Sequence, residues 1–146
     1  RRDPRRRLTV PLFYADASAL VKLVREEPES EALRTFVGND RLASSELVLI
    51  EVPRAIRRAA GRDPALPTHL LLERAGELLD AVGLVPLDHG LLAAAGAIET
   101  AALRALDAIH LATAISLMPI DALITYDDRQ GAVGRLAGLR TIAPGA

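Results

Sequence analysis

The chain has 146 residues, 50% hydrophobic and 25% charged, the size and balance of one globular domain around one core. It has no cysteine, which excludes disulfide scaffolds, zinc fingers, iron–sulfur clusters and thiol nucleophiles together. Two Phe, two Tyr and no Trp leave little for a base-stacking platform, and no apolar run approaches the roughly 20 residues of a membrane span.

The net charge of −1 is unevenly spread: residues 1–7, Arg1-Arg2-Asp3-Pro4-Arg5-Arg6-Arg7, sum to +4 and leave −5 for the rest. Such a basic tail cannot pack and is expected to be disordered, with the folded domain spanning 8–146. Joined to Leu8–Tyr14 the tail has the outline of a secretory signal, but the apolar stretch is short and contains Pro11. A cytoplasmic location is therefore expected.

Leu8 to Ala15 is a short apolar run that reads as a buried strand. Asp16-Ala17-Ser18 opens a helix through Leu20, Leu23 and Val24, and a second helical stretch runs from about Glu29 to Val37. Arg41 to Ser44 has strand length; Ser44 or Ser45 then caps a helix carrying Leu47, Ile50 and Glu51, which Pro53 should bend or divide. Pro64 and Pro67 begin a helix with Leu71, Ala75, Leu78, Leu79 and Val82 along one face. Leu84 to Leu87 reads as a strand, and Pro86 places it at a sheet edge. An alanine-rich helix is expected from Asp88 to about Ala102, and a core helix, apolar nearly all round, from Asp107 to Leu117. Ala122–Thr125 is a strand, 128–136 a short helix and Leu139–Ile142 a last strand. Alternating strands and helices predict an α/β fold: one domain with a mostly parallel sheet and helices on both faces. Ligands of such sheets bind beyond the carboxyl ends of the strands, at a topological switch point.

Acidic residues fall at those ends. Asp16 follows the first strand, and Asp127 and Asp128 follow the Leu123–Thr125 strand. Asp107 opens the core helix, and Glu51 lies between Ile50 and Val52, where a carboxylate is costly unless paired or metal-bound. Asp16, Asp107 and Asp128 also suit helix caps, and Glu51 could pair with Arg54 or Arg58 at helical spacing. If Asp16, Glu51, Asp107 and Asp127 converge, like charges about 4 Å apart repel by roughly 4 kcal/mol per pair at an effective dielectric near 20. Protons or a cation must relieve that repulsion, and an all-oxygen donor set suits Mg²⁺ or Mn²⁺. One or two such ions on phosphate oxygens activate water for phosphodiester hydrolysis. The chain has no P-loop, Gly-rich dinucleotide turn or Gly-x-Ser-x-Gly elbow.

Four segments together are more specific. Tyr14-Ala15-Asp16-Ala17-Ser18-Ala19-Leu20-Val21-Lys22-Leu23 resembles the opening motif of PIN-domain ribonucleases, specifically VapC-like toxins of toxin–antitoxin pairs. Ser45 to Ala55, with Glu51 and Pro53, resembles that family's second motif; Leu106-Asp107-Ala108-Ile109-His110-Leu111-Ala112-Thr113-Ala114 its third; Leu123-Ile124-Thr125-Tyr126-Asp127 its fourth. The resemblance implies that Asp16, Glu51, Asp107 and Asp127 hold Mg²⁺ or Mn²⁺, with Ser18 and Thr125 as accessory hydroxyls. It implies a five-stranded parallel sheet with the first strand central, and a homodimer. It also implies an endoribonuclease neutralised by a small VapB-like antitoxin, whose carboxyl-terminal segment lies across the acidic pocket. Asp128 departs from the family pattern and reads as a cap.

A body of net charge −5 must attract RNA locally. Arg54, Arg57, Arg58 and Arg62 share overlapping faces of the Glu51 helix, and Lys22 and Arg25 lie beyond Asp16; both groups suit phosphates, or a salt-bridged surface. His110, three residues after Asp107, reads as a hydrogen-bonded core histidine, and His69 and His89 as surface residues. The alternative to the nuclease is a catalytically silent PIN-like domain that binds a protein partner through its acidic pocket. A receiver-like phosphorylation domain would need a lysine near the last strand, and Lys22 is the only lysine.

Overall fold

The structure, a computed structural model, describes residues 10–146. The basic tail, Leu8 and Thr9 lie outside the described residues. The apolar segment Leu12–Ala15 forms β1, and its last three residues are buried because helices cover both faces of the sheet. Phe13 and Ala15 point to one side and Tyr14 to the other, the period-2 alternation of a strand.

Two helices follow, α1 (Ala17–Val24) and α2 (Ser30–Val37), and then β2 (Arg41–Ser45) beside β1. The helices α3 (Val48–Arg62) and α4 (Thr68–Ala81) lead to β3 (Gly83–Val85). The chain then crosses back through α5 (His89–Gly96) and α6 (Ala105–Ser116) to β4 (Ala122–Ile124), and ends with α7 (Asp128–Leu136) and β5 (Thr141–Ile142). The five strands stand in the order β3-β2-β1-β4-β5, all parallel, with β1 in the centre. After β1 the chain turns towards β2, and it returns later on the other side through β4. The loops leaving β1 and β4 therefore part company at Asp16, the switch point of the sheet.

One face of the sheet is covered by α1 to α4, through Leu20, Val24, Leu33, Val52, Ile56 and Leu71. The other takes α6 and the end of α7, with Tyr14, Leu111, Ala114, Leu123 and Leu139 in contact, and α5 closes over α6 through Leu91 and Ala95. Helices on both faces of a parallel sheet are what the alternation of elements predicts.

Several boundaries differ from the expectation. The first strand starts at Leu12, after Pro11. The helix α3 runs unbroken through Pro53. The missing N–H of Pro53 would have met the carbonyl of Leu49, whose side chain is 51% exposed, so this break lies towards solvent near the helix start. The alanine-rich helix stops at Gly96, not Ala102; Gly96 is a poor helix former, and Thr100 turns the following chain by accepting from Ala102 N. The core helix starts two residues early, at Ala105, and exposes Leu106 and Ile115 while burying His110 to Ala114. β3 is the sheet edge, as Pro86 predicts, but spans only Gly83–Val85. The last strand shrinks to Thr141–Ile142 because Gly138 and Leu139 close α7 instead. Gly138 takes φ 89°, its N–H bonds Arg135 O, and Leu139 N bonds Gly134 O, the paired bonds of a Schellman cap.

Candidate active site

Asp16 leaves the end of β1 in an extended conformation and caps α1, accepting from Ala19 N at 3.1 Å. Capping occupies only part of its carboxylate. The Ser18 hydroxyl donates to Oδ1 and the Thr125 hydroxyl, just past β4, donates to Oδ2, each at 2.5 Å. Ser18 Oγ also accepts from Tyr126 N at 3.0 Å, and Thr125 Oγ1 from Asp127 N at 3.1 Å. The two hydroxyls expected as accessories thus stitch the loop after β1 to the loop after β4, with Asp16 between them. Asp16 is 3% exposed; burial pushes its carboxyl above the ordinary range, and the hydroxyl donors pull it back.

Asp127 caps α7, accepting from Gln130 N at 2.9 Å, so the cap expected of Asp128 belongs to its neighbour, and Asp128 is an exposed residue of the first turn. Asp107 lies in the first turn of α6. Burial, then the charges of Asp127 and Asp16, push its carboxyl up, and Glu51 adds to the same effect. Asp16 and Asp127 follow β1 and β4, and Glu51 and Asp107 stand in the first turns of α3 and α6, so the order of the elements puts all four at the carboxyl end of the sheet. Among the described residues no Lys or Arg forms an ion pair with any of them.

Glu51, in the first turn of α3, does not pair with Arg54 or Arg58. Its Oε1 lies 2.6 Å from Nε2 of His110, and His110 Nδ1 lies 2.7 Å from the Tyr14 hydroxyl. His110 is a hydrogen-bonded core histidine as expected, 1% exposed. Its attachment to Glu51 is not visible in the sequence, because the two residues are 59 positions apart on different helices. Burial raises the Tyr14 phenol well above its ordinary range, so it stays protonated as a hydrogen-bond donor.

A cleft of about 400 Å³ opens over this end of the sheet, lined by Arg104, Asp107, Tyr126, Asp127, Asp128 and Arg129 among others. Asp16 is set behind it among its donors. Arg104, the residue before α6, and Arg129 were not singled out by sequence reasoning; their one signal is position, three residues before Asp107 and two after Asp127. Of the expected basic residues, Arg54, Arg57 and Arg58 are exposed on α3. Lys22 is engaged: its ammonium lies 2.9 Å from Glu29 and 3.6 Å from Glu27, over the ring of Tyr126. His69 and His89 are exposed, as expected. A larger groove of about 820 Å³, lined by Leu12, Val37, Asp40 and Arg41 among others, lies at the opposite, amino end of the sheet and has no acidic cluster.

A five-stranded parallel α/β sheet with acidic side chains gathered at its carboxyl end describes a class of small domains, and the PIN domain family model matches residues 13–136. The chain belongs to the PIN-domain family. Its sequence relatives are VapC ribonucleases: Ribonuclease VapC35 of Mycobacterium tuberculosis is 37% identical over 141 residues, covering 92% of this chain and 98% of the relative. Ribonuclease VapC46 of the same species is 40% identical over 140 residues, covering 90% and 97%. Among solved structures, M. tuberculosis VapC20, described as a sarcin–ricin loop cleaving toxin, superposes with a TM-score of 0.67 at 16% identity, over 90% of this chain and 99% of that one. VapBC2 from Rickettsia felis, bound to a DNA fragment from its promoter, gives 0.66 at 12% identity, over 91% and 98%. No helix among the described residues is long and apolar enough to cross a membrane.

Proposed function

We infer that the chain is a divalent-metal-dependent endoribonuclease toxin acting through Asp16, Glu51, Asp107 and Asp127. The observation that carries this reading is that four acidic residues stand at the carboxyl end of the sheet with no Lys or Arg ion-paired to any of them among the described residues. Burial first, then the charges of Asp127, Asp16 and Glu51, raise the Asp107 carboxyl, and His110 pulls it back. The VapC ribonuclease relatives supply the substrate class.

The donor set fits a hard cation. It is all oxygen, and among the described residues no three of His, Asp and Glu close into a ready-made cage. Mg²⁺ ordinarily keeps several waters and takes one or two carboxylates plus substrate phosphate, so an open acidic cleft suits it better than a closed cage would. Bound there, Mg²⁺ or Mn²⁺ would polarise the scissile phosphate and make a neighbouring water more acidic. The chain's own residues do the rest. Asp107 and Asp127 present carboxylates to the cleft, while Ser18 and Thr125 fix both oxygens of Asp16. Arg104 and Arg129 bring positive charge to the mouth of the cleft, and Arg54, Arg57 and Arg58 form a second basic strip for the RNA backbone. Lys22 joins them only by exchanging its glutamate partners for phosphate.

The partner in this reading is a VapB-like antitoxin, which the VapBC2 neighbour supports, and in this proposal it covers the acidic pocket. A homodimer belongs to the same proposal; the adjacent Leu49 and Ile50, 51% and 61% exposed, offer apolar surface for a second chain. The reaction belongs in the cytoplasm, where the RNA is. The test is cleavage of total RNA by antitoxin-free protein with Mg²⁺, Mn²⁺ or EDTA. Cleavage that needs the metal and disappears in Asp16→Asn is the expected result. Folded protein that cuts nothing in any metal would leave a pocket that only binds a partner.

A further inference from the structure

Three of the acidic residues come from elements far apart in the chain, β1, α3 and α6, and something must fix their relative positions. For Asp16 the hydroxyls of Ser18 and Thr125 do so. Glu51 has no such shell. It lies on the edge of the core, with a side chain 20% exposed and its helical neighbours Leu49 and Ile50 facing solvent. A glutamate there has three free torsions and would sample many rotamers.

One side chain holds it. A carboxylate only accepts, so His110 Nε2 donates to Glu51 Oε1, and Nδ1 on the other side of the ring shares a hydrogen bond with the Tyr14 hydroxyl. Beside Tyr14, the hydroxyls of Ser44 and Thr113 are committed to the carbonyls of Ala15 and Ile109, each at 2.6 Å. Tyr14 and His110 are each 1% exposed or less, so the ring is held in the core between Tyr14 on one side and Glu51 on the other. The line also ties the acidic elements to one another. Tyr14 stands two residues before Asp16 on β1, and His110 three after Asp107 on α6.

We propose that His110, backed by Tyr14, is the positioning residue of Glu51: it holds Oε1 and thereby aims the free Oε2 at the pocket shared with Asp16 and Asp107. The effect on turnover rests on the divalent-ion reading given above, whereas the link itself does not. Hydrogen-bonding partners of ligating carboxylates are worth about 10- to 100-fold in metal affinity or activity when removed. A histidine that merely fills the core would instead lower stability and leave the site alone.

A double-mutant cycle on the full-length chain separates the two, with Mn²⁺ affinity read by calorimetry beside RNA cleavage. His110→Leu should weaken Mn²⁺ binding and cleavage by about 10- to 100-fold. The same change in a Glu51→Gln background should cost nothing more. His110→Gln, whose amide can still donate to Oε1, should recover part of the loss, and Tyr14→Phe should move both readouts the same way by less. Where His110→Leu does not fold, His110→Gln and Tyr14→Phe complete the cycle. An undiminished loss in the Glu51→Gln background, or unchanged affinity, overturns the proposal.

A metal-free readout keeps the two readings apart. The His110 Nε2 proton should give a downfield, slowly exchanging imidazole resonance that moves on Glu51→Gln. Seen in protein that neither binds Mn²⁺ nor cuts RNA, it sustains the link and sinks the nuclease reading. Its absence from the wild-type spectrum overturns the link, whatever the activity.

Discussion

Two hydrogen-bond networks support the acidic pocket, and they are built on different plans. Around Asp16 the carboxylate receives three donors, two hydroxyls and a backbone N–H, one of them from only two residues away. Around Glu51 a single donor does the work, on a ring whose other anchor is Tyr14, 96 positions from it in sequence. The first is redundant and mostly local; the second is a single file of long-range contacts. A buried carboxylate at the centre of a sheet needs redundancy, because leaving it unsatisfied is expensive. A carboxylate at the rim needs only to be aimed.

The comparison can be broken at several places. The largest expected effect is Asp16→Asn, which should lower RNA cleavage by more than about 100-fold with an unchanged circular dichroism spectrum, since the proposed mechanism makes Asp16 itself a metal ligand. Thr125→Val removes the donor to Oδ2 and leaves one oxygen of a buried carboxylate unpaired, so urea unfolding should show a loss of about 1–3 kcal/mol. Tyr14→Phe leaves a single ring nitrogen of His110, not a carboxylate oxygen, without its partner, so its cost should lie at the low end of that range, about 1 kcal/mol. Equal losses for the two would show that the networks do not differ as described.

Asp107→Asn gives a pH-dependent effect. The Asp107 carboxyl binds its proton more tightly in the folded protein than the ordinary value of 3.8 allows. Its contribution to stability is therefore full below that value and falls as pH rises through the higher folded value. In EDTA at neutral pH, Asp107→Asn should melt above the wild type, with the gain vanishing on acidification; a lower Tm at neutral pH would contradict the crowding of charges. The smallest effect concerns a group with no network at all. Gln130 on α7 is fully buried, and both its amide oxygen and nitrogen lack a hydrogen-bond partner. Gln130→Leu should raise stability by about 1 kcal/mol in the same urea measurement.

The local network was the legible one. Asp16, Ser18, Thr125 and Asp127 all lie at strand ends, where the pattern of apolar runs and the parallel-sheet rule direct attention. The motifs carried Glu51 and Asp107 to the same place. The fold was legible for the same reason: β1 is apolar along its length, α6 carries a buried stretch from His110 to Ala114, and Pro86 marks an edge. What stayed hidden depends on contacts across the chain. Nothing near His110 says that its ring meets Glu51, and the salt bridges that occupy Lys22 depend on how α1 and α2 close on each other. Two boundaries were not legible: the end of α5 at Gly96, and the start of β5, where the Gly138–Leu139 closure of α7 takes residues that read as strand.

The claim proposed beneath all of this is that the acidic pocket binds a divalent ion through carboxylates that include Asp107. Calorimetric titration of metal-free protein with Mn²⁺, wild type beside Asp107→Asn, tests it most directly. The account predicts a saturable binding event in the wild type that is lost or greatly weakened in Asp107→Asn, although that variant is folded and more heat-stable at neutral pH. Equal binding by both proteins, or none by either, would contradict it.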